Sequence, residues 1–280
     1  MDIVARGFTF DARVAGPVGG SAVLLLHGFP QHGGMWSGVV PALHAAGLRT
    51  IAPDQRGYSP GARPDGVAAY QMDECVTDAL AILDALGVES AHVVGHDWGA
   101  AVGWHLAAKH AARVGTFTAI SVPHPASHAQ ALGTDPDQKT RSAYLNLFRQ
   151  PGRAEEVLLA ADAARLRAMF GGLDPALVDE YVRPLREPGA LTGPLNWYRA
   201  MSRRDLDGLG PSLVPTTYLW SDNDLAIGRT AAEGCAAYAV EDYEFVVVPG
   251  MSHWLPDEVP DLVNLAILDR VGAGSDAGSA

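Results

Sequence analysis

The sequence predicts an α/β protein: a mostly parallel, twisted sheet with helices on both faces and one inserted, all-helical block. Three observations carry this expectation. Short apolar runs alternate with stretches of helical period from residue 22 to residue 122, the pattern of successive strand-crossover-strand units. The alternation stops at Pro123-His124-Pro125, and helical patterns alone follow until strand signals resume near residue 215. A chain of 280 residues, 48% of them hydrophobic, can bury a large core, so a helical block between two sheet strands is expected to cover the strands' carboxyl ends, where ligands of open α/β sheets bind.

Taken in order, residues 6 to 15 read as an opening strand or hairpin, and 22 to 26 as a strand buried on both faces. Residues 35 to 45 read as a helix and 49 to 53 as a strand, followed by a polar loop in which Asp54 and Arg56 are expected to form a structural ion pair. Apolar residues recur at helical spacing from 70 to 87, and Gly87 stands where a helix C-cap belongs. A strand near 93 passes directly into a helix, and 114 to 122 is a further strand. Helices are expected at about 137 to 149, 152 to 169, 175 to 187 and 194 to 203. A strand at 215 to 221, a helix near 230 to 238, a strand at 243 to 248 and a helix at about 261 to 271 follow. The expected division is a core of 1–123 and 212–273, a helical cap or lid of 124–211, and a small, polar, disordered tail of 274–280.

Composition narrows the function. A net charge of -12 with no basic run argues against nucleic acid and favours a small uncharged ligand. No apolar run approaches the about 18 residues that span a bilayer, and Met1-Asp2-Ile3-Val4-Ala5-Arg6 has no apolar signal core. Cys75 and Cys235 are far apart and lack metal-ligand spacing, so they are expected as buried thiols in a reducing, cytoplasmic compartment. A monomer or a homodimer is expected.

The chemistry centres on Gly95-His96-Asp97-Trp98-Gly99. Strand and helix meet at Asp97, and a glycine two residues away on each side leaves room for a tight, strained corner. This is a nucleophile elbow carrying Asp where Ser is more usual. A carboxylate is charged at pH 7 and attacks a saturated carbon without an activating base. The plainer alternative is a strand-helix turn whose Asp caps the helix. His27-Gly28-Phe29-Pro30 follows an earlier strand, and Gly28 and Pro30 can preset the Phe29 N–H as an oxyanion donor. Ser221-Asp222-Asn223-Asp224 and Gly250-Met251-Ser252-His253-Trp254 follow two late strands. Nucleophile, acid and His thus stand in a recognised catalytic order at strand carboxyl ends. Asp222 and Asp224 both qualify as the acid. His124 and His128 have the i, i+4 spacing of metal ligands, but with no third ligand a structural role where the chain enters the lid is favoured.

His27-Gly28-Phe29-Pro30, Gly95-His96-Asp97-Trp98-Gly99, Asn196-Trp197-Tyr198-Arg199 and Ser252-His253-Trp254 together resemble the epoxide hydrolases of the α/β-hydrolase fold, over nearly the whole chain. The resemblance implies a hydrolase acting on an epoxide, with water as the second substrate and no metal or organic cofactor. It implies two lid tyrosines that hold the epoxide oxygen: Tyr198, from the Asn-Trp-Tyr-Arg string, and Tyr144, which precedes Phe148-Arg149-Gln150-Pro151-Gly152. It favours Asp224 as the acid, because Leu225-Ala226-Ile227 matches the apolar stretch that follows it, and leaves Asp222 to cap the turn. Phe29 and Trp98 are the implied oxyanion donors, and His27, Pro30, Trp36, His124, Trp197 and Trp254 are expected around the substrate. Haloalkane dehalogenases share the Asp nucleophile and the Asp-Trp pair, but usually place Asn where Phe29 stands. Fluoroacetate dehalogenases carry an Arg after the nucleophile, which is lacking here. A non-catalytic binding protein would be free to lose catalytic groups, and none is lost.

Overall fold

Ala22–Leu26 is five consecutive buried apolar residues, and the side-chain period of two sends Leu24 and Leu26 into one core cluster and Val23 and Leu25 into the other. A strand buried on both faces belongs inside a helix-covered sheet. The computed structural model describes residues 1–277. Its sheet has eight strands: β1 (Asp2–Ala5), β2 (Phe8–Ala15), β3 (Ala22–Leu26), β4 (Arg49–Pro53), β5 (Ala91–His96), β6 (Val114–Ile120), β7 (Thr216–Ser221) and β8 (Tyr243–Val248). Their spatial order is β1-β2-β4-β3-β5-β6-β7-β8. Only β1 and β2 run antiparallel to their neighbours. All other pairings are parallel.

The same split continues across the sheet, with Val93 and Phe117 on one side and Val94 and Ile120 on the other. The first face is covered by α2 (Met72–Ala85) and α3 (Trp98–Lys109), and the second by α1 (Val40–Ala45) and α13 (Pro260–Ala277). Between β6 and β7 the chain is helical apart from an isolated bridge of Ser212 to Ala239: α4 (Pro125–Thr134), α5 (Pro136–Arg141), α6 (Leu145–Phe148), α7 (Arg153–Ala168, interrupted by a kink at Ala160 to Ala163), α8 (Pro175–Leu185), α9 (Thr192–Ala200) and α10 (Arg203–Asp207). The short helices α11 (Arg229–Glu233) and α12 (Leu255–Glu258) complete the chain. No helix of the described residues is long and apolar enough to cross a membrane.

Several expectations change. The helix expected over 35 to 45 is a 3-10 segment, Gly33–Gly38, followed by α1, because Pro41 sits in the first turn of a new helix. The helical block begins at Pro125 and not at about 137: that proline opens α4, and the His124 side chain accepts from the Ala126 N–H as its cap. α13 runs on to Ala277, through part of the stretch expected as a disordered tail. No proline after Pro260 stops it sterically, and residues 278–280 of that expected tail lie outside the described residues. Asp54 and Arg56 do not pair with each other. Asp54 bonds Arg13 on β2 at 2.7 Å, while Arg56 is buried against Asp78 on α2 at 2.6 and 2.7 Å. The chain turns between them, with the Tyr58 N–H donating to the Gln55 carbonyl at 2.9 Å, and each side chain found a partner on a different element. Cys75 and Cys235 are buried free thiols.

Candidate active site

The β5–α3 corner is as tight as its glycines require. A Cβ on Gly99 would lie 2.0 Å from the Leu26 carbonyl oxygen, and one on Gly95 would lie 2.2 Å from that of Gly99. Asp97 occupies the corner with φ of 52° and ψ of -117°, a conformation that L residues adopt only under constraint. Although it stands at the N-cap position of α3, its side chain makes no capping bond. Its Oδ1 instead accepts from the Phe29 N–H at 2.7 Å. Gly28 makes that approach possible, since a Cβ there would sit 2.3 Å from Oδ1. Trp98 begins α3, so its N–H is one of the first-turn donors that a helix leaves unpaired.

His253 follows β8, and its main-chain carbonyl accepts from Ser121 Oγ at 2.7 Å and His96 Nε2 at 2.9 Å. Thus fixed, the ring donates through Nδ1 to Asp224 Oδ2 at 2.7 Å and places Nε2 3.6 Å from Asp97 Oδ2. Asp224, fully buried after β7, accepts at Oδ1 from the Ala226 and Ile227 N–H groups at 2.7 and 3.0 Å. Gln138 of α5 grips the same loop, donating to the Ala226 carbonyl and accepting from the Gly228 N–H. Arg141 donates to the Asp224 carbonyl. Asp222 faces the other way and accepts from Gly250 N–H at 2.7 Å, tying the two loops together.

Two carboxylates on one imidazole set the local charge. Burial lowers the His253 pKa, but the charge and hydrogen bond of Asp224, and then those of Asp97, outweigh it and raise the value to about 10. Burial raises the Asp97 pKa, but the His253 hydrogen bond and charge outweigh it and leave the carboxyl below its ordinary value. The resting pair is therefore carboxylate and imidazolium near neutral pH.

Two chambers adjoin Asp97. The first, about 670 Å³ including its mouth, is bounded by Asp97, Trp98, His105, Val122, His128 and Ile227 among others. The second, about 630 Å³, is bounded by Phe29, Leu158, Met169, His253 and Trp254 among others. Asp97, Tyr144, Tyr198 and Ala226 bound both, so the corner carboxylate and the two phenols stand at a waist between them. Tyr144 closes the 3-10 turn before α6, and Tyr198 projects from α9, with ring centroids 6.2 Å apart. Burial, and after it the Asp97 charge, raises both phenol pKa values, so both hydroxyls keep their protons. The rest of the Asn-Trp-Tyr-Arg string fixes this helix. Arg199 bonds Asn196 and Glu155, and the Trp197 indole donates to the Arg56 carbonyl at 2.9 Å.

Five residues expected around the substrate lie elsewhere. His27 is wholly buried, its Nε2 accepting from the Gln55 N–H at 2.9 Å, so it braces the loop after β4. Trp36 is core. Pro30 borders an outer polar cleft beside α8. His124 caps α4, donates to the Gly210 carbonyl and stacks on Tyr238. Trp197 lies behind Trp98, against Arg56. His27, His124 and Trp197 have hydrogen-bond partners that sequence spacing does not reveal. Trp254 does line the second chamber. Ser121, His96, Gln138 and Arg141 were not foreseen in this site, because their partners lie between 83 and 157 residues away in sequence. No group of three His, Cys, Asp or Glu side chains among the described residues is arranged to hold a metal ion.

A parallel sheet presenting Asp, Asp and His from loops at its strands' carboxyl ends, under helices inserted before the penultimate strand, defines an enzyme architecture. A family model described as alpha/beta hydrolase fold matches residues 21–260, and the chain belongs to that family. Among its relatives, the AB hydrolase superfamily protein YfhM of Bacillus subtilis is 34% identical over 94% of both chains. Epoxide hydrolase A of Mycobacterium tuberculosis is 34% identical over 91% of both chains. The crystal structure of epoxide hydrolase A from Mycobacterium thermoresistibile superposes with a TM-score of 0.84, at 30% identity and 96% coverage of each chain.

Proposed function

We propose that this chain is an epoxide hydrolase that makes a vicinal diol through a covalent ester on Asp97. The observation that carries the reading is the waist: a half-buried carboxylate at a strained corner faces two protonated phenols, with His253 held 3.6 Å behind it. The relatives named epoxide hydrolase support it. Asp97 attacks a ring carbon, and the C–O bond breaks while Tyr144 and Tyr198 donate to the departing oxygen. Such donors are needed because a bare alkoxide is a poor leaving group. The product of this half-reaction is a hydroxyalkyl ester of Asp97.

Esterification removes one of the two negative charges that hold the proton on His253. The departing oxygen takes its proton from a phenol, which is reprotonated at the expense of the His253 imidazolium; the ring, left neutral, then takes a proton from water, and the resulting hydroxide adds to the ester carbonyl. Phe29 N–H, already 2.7 Å from Asp97 Oδ1, and Trp98 N–H receive the oxyanion. Collapse releases the diol and restores the carboxylate. Asp224 keeps the imidazole oriented and stabilises its cation. The helices from 124 to 211 act as a cap that carries both phenols. The two free, buried cysteines support a reducing, cytoplasmic location.

The test is turnover of styrene oxide, an aliphatic epoxide, a bromoalkane and fluoroacetate by the purified protein. Diol formation with little halide release is expected. Halide release outpacing epoxide opening would overturn the assignment in favour of a dehalogenase.

A further inference from the structure

The first chamber has a polar region that the proposed reaction does not use. His105 lies on α3 beyond Trp98, and seven residues at about 1.5 Å each put it about 10 Å along the helix from the elbow. It is 1% exposed and borders the chamber; one ring nitrogen faces the Asp205 main-chain carbonyl, and the other has no hydrogen-bond partner. His128, on α4, borders the same chamber, and its buried Nε2 is likewise unpartnered. Buried polar groups are rarely left unsatisfied in folded proteins, so an unpaired nitrogen on each of two rings in one largely apolar chamber calls for a polar ligand group.

The chemistry of that group follows from its surroundings. Burial brings both imidazoles down to about 4, so each is neutral with one N–H donor and one acceptor nitrogen; the His105 N–H faces the Asp205 carbonyl and leaves its acceptor nitrogen free. The charged groups acting on His105 are Lys109 on its own helix, Asp205 on α10 and Asp73 on α2. Asp205 also borders the chamber. Two neutral rings beside a carboxylate, in a chain of net charge -12, disfavour an anionic ligand. A hydroxyl, both donor and acceptor, complements a neutral imidazole in either tautomer. The about 10 Å from the elbow corresponds to about eight saturated C–C bonds in zigzag, given bond lengths near 1.5 Å.

Building on the epoxide hydrolase reading, we propose that the first chamber selects epoxides whose apolar arm ends in a hydroxyl, received by His105 and His128. Decene oxide, the terminal epoxide of a straight ten-carbon chain, its ω-hydroxy analogue and its ω-carboxy analogue test this, with styrene oxide as a short reference. For the wild-type protein, kcat/KM for the ω-hydroxy epoxide should exceed that for decene oxide by about tenfold, as one or two neutral hydrogen bonds allow, with the difference in KM. His105→Phe together with His128→Phe should bring the ratio to about one or below, and His105→Gln, which keeps a donor and an acceptor, should retain part of it. The wild-type ratio stands even if a variant fails to fold. A wild-type ratio at or below one, a ratio that survives the folded double variant, or preference for the carboxylate would each overturn the proposal. Turnover of all four without the preference would sink this inference alone, whereas turnover of none would sink the epoxide hydrolase reading with it.

Discussion

Replacing Asp97 with Asn keeps the shape of the corner but removes the negative charge 3.6 Å from His253 Nε2. In an effective dielectric of about 20, two unit charges at that distance interact by about 4–5 kcal/mol. At 1.36 kcal/mol per pK unit this is about three units, so His253 should fall from about 10 to about 7 in Asp97→Asn. The ester intermediate is neutral at the same position, which makes the variant a stand-in for the state in which His253 must accept a proton. Proton-nitrogen NMR of the histidine ring across pH 5 to 11 reads both values directly. If His253 in the Asn variant titrates within one unit of the wild type, the charge of Asp97 does not hold the proton, and the switch from cation to base is wrong. The same shift has a stability counterpart. The folded-state pKa lies above the ordinary value of 6.5, so the stabilisation is complete below about 6.5 and lost as pH climbs through about 10. Thermal unfolding should therefore fall more steeply over that window in the wild type than in His253→Gln.

Three further outcomes are expected. His253→Gln should be alkylated once and then stall, showing by intact mass the protein plus one substrate, while Asp97→Ala shows no adduct; full turnover by Asp97→Ala would remove the corner from the chemistry. Tyr198→Phe alone should slow alkylation by about 10- to 100-fold, and the double change with Tyr144→Phe should nearly abolish it, with ester hydrolysis far less affected. Rapid-quench measurement on the folded variants decides this, and alkylation near the wild-type rate in the double variant would refute the role of the phenols. Gly28→Ala places a methyl 2.3 Å from Asp97 Oδ1, so the Phe29 N–H contact should be lost. Activity should fall by at least about 100-fold, and stability by about 1–3 kcal/mol. Unchanged single-turnover rates would show that this contact is idle.

What the sequence made legible was local. The Asp97 corner, the two acid-and-histidine loops and the strands that lead to them are contiguous strings whose glycines and apolar runs carry their own geometry. The strand order was not legible beyond its parallel character, because β4 lies between β2 and β3 through pairings that span the whole N-terminal region. The ion pair expected between Asp54 and Arg56 failed for a related reason: proximity in a loop does not decide which way two side chains turn, and Arg13 and Asp78 decided it. The family resemblance implies His27, Trp36, His124 and Trp197 near substrate, but each is turned towards a carbonyl, an amide or the core. Conversely, His105 carries no motif, and its place on the chamber follows only from how α3, α4 and α10 come together.

The waist has a stereochemical meaning. An epoxide with two unequal arms can lie across Asp97 in two opposite directions, one arm in each chamber, and each direction brings a different ring carbon to the carboxylate. In the proposed reaction, displacement inverts the carbon that is attacked and leaves the other untouched. The handedness of the diol is therefore a record of which arm went into which chamber. Residues that touch only one chamber, such as Leu158 and Met169 on one side or Val122 and Ile227 on the other, would steer product configuration without touching the groups that make and break bonds.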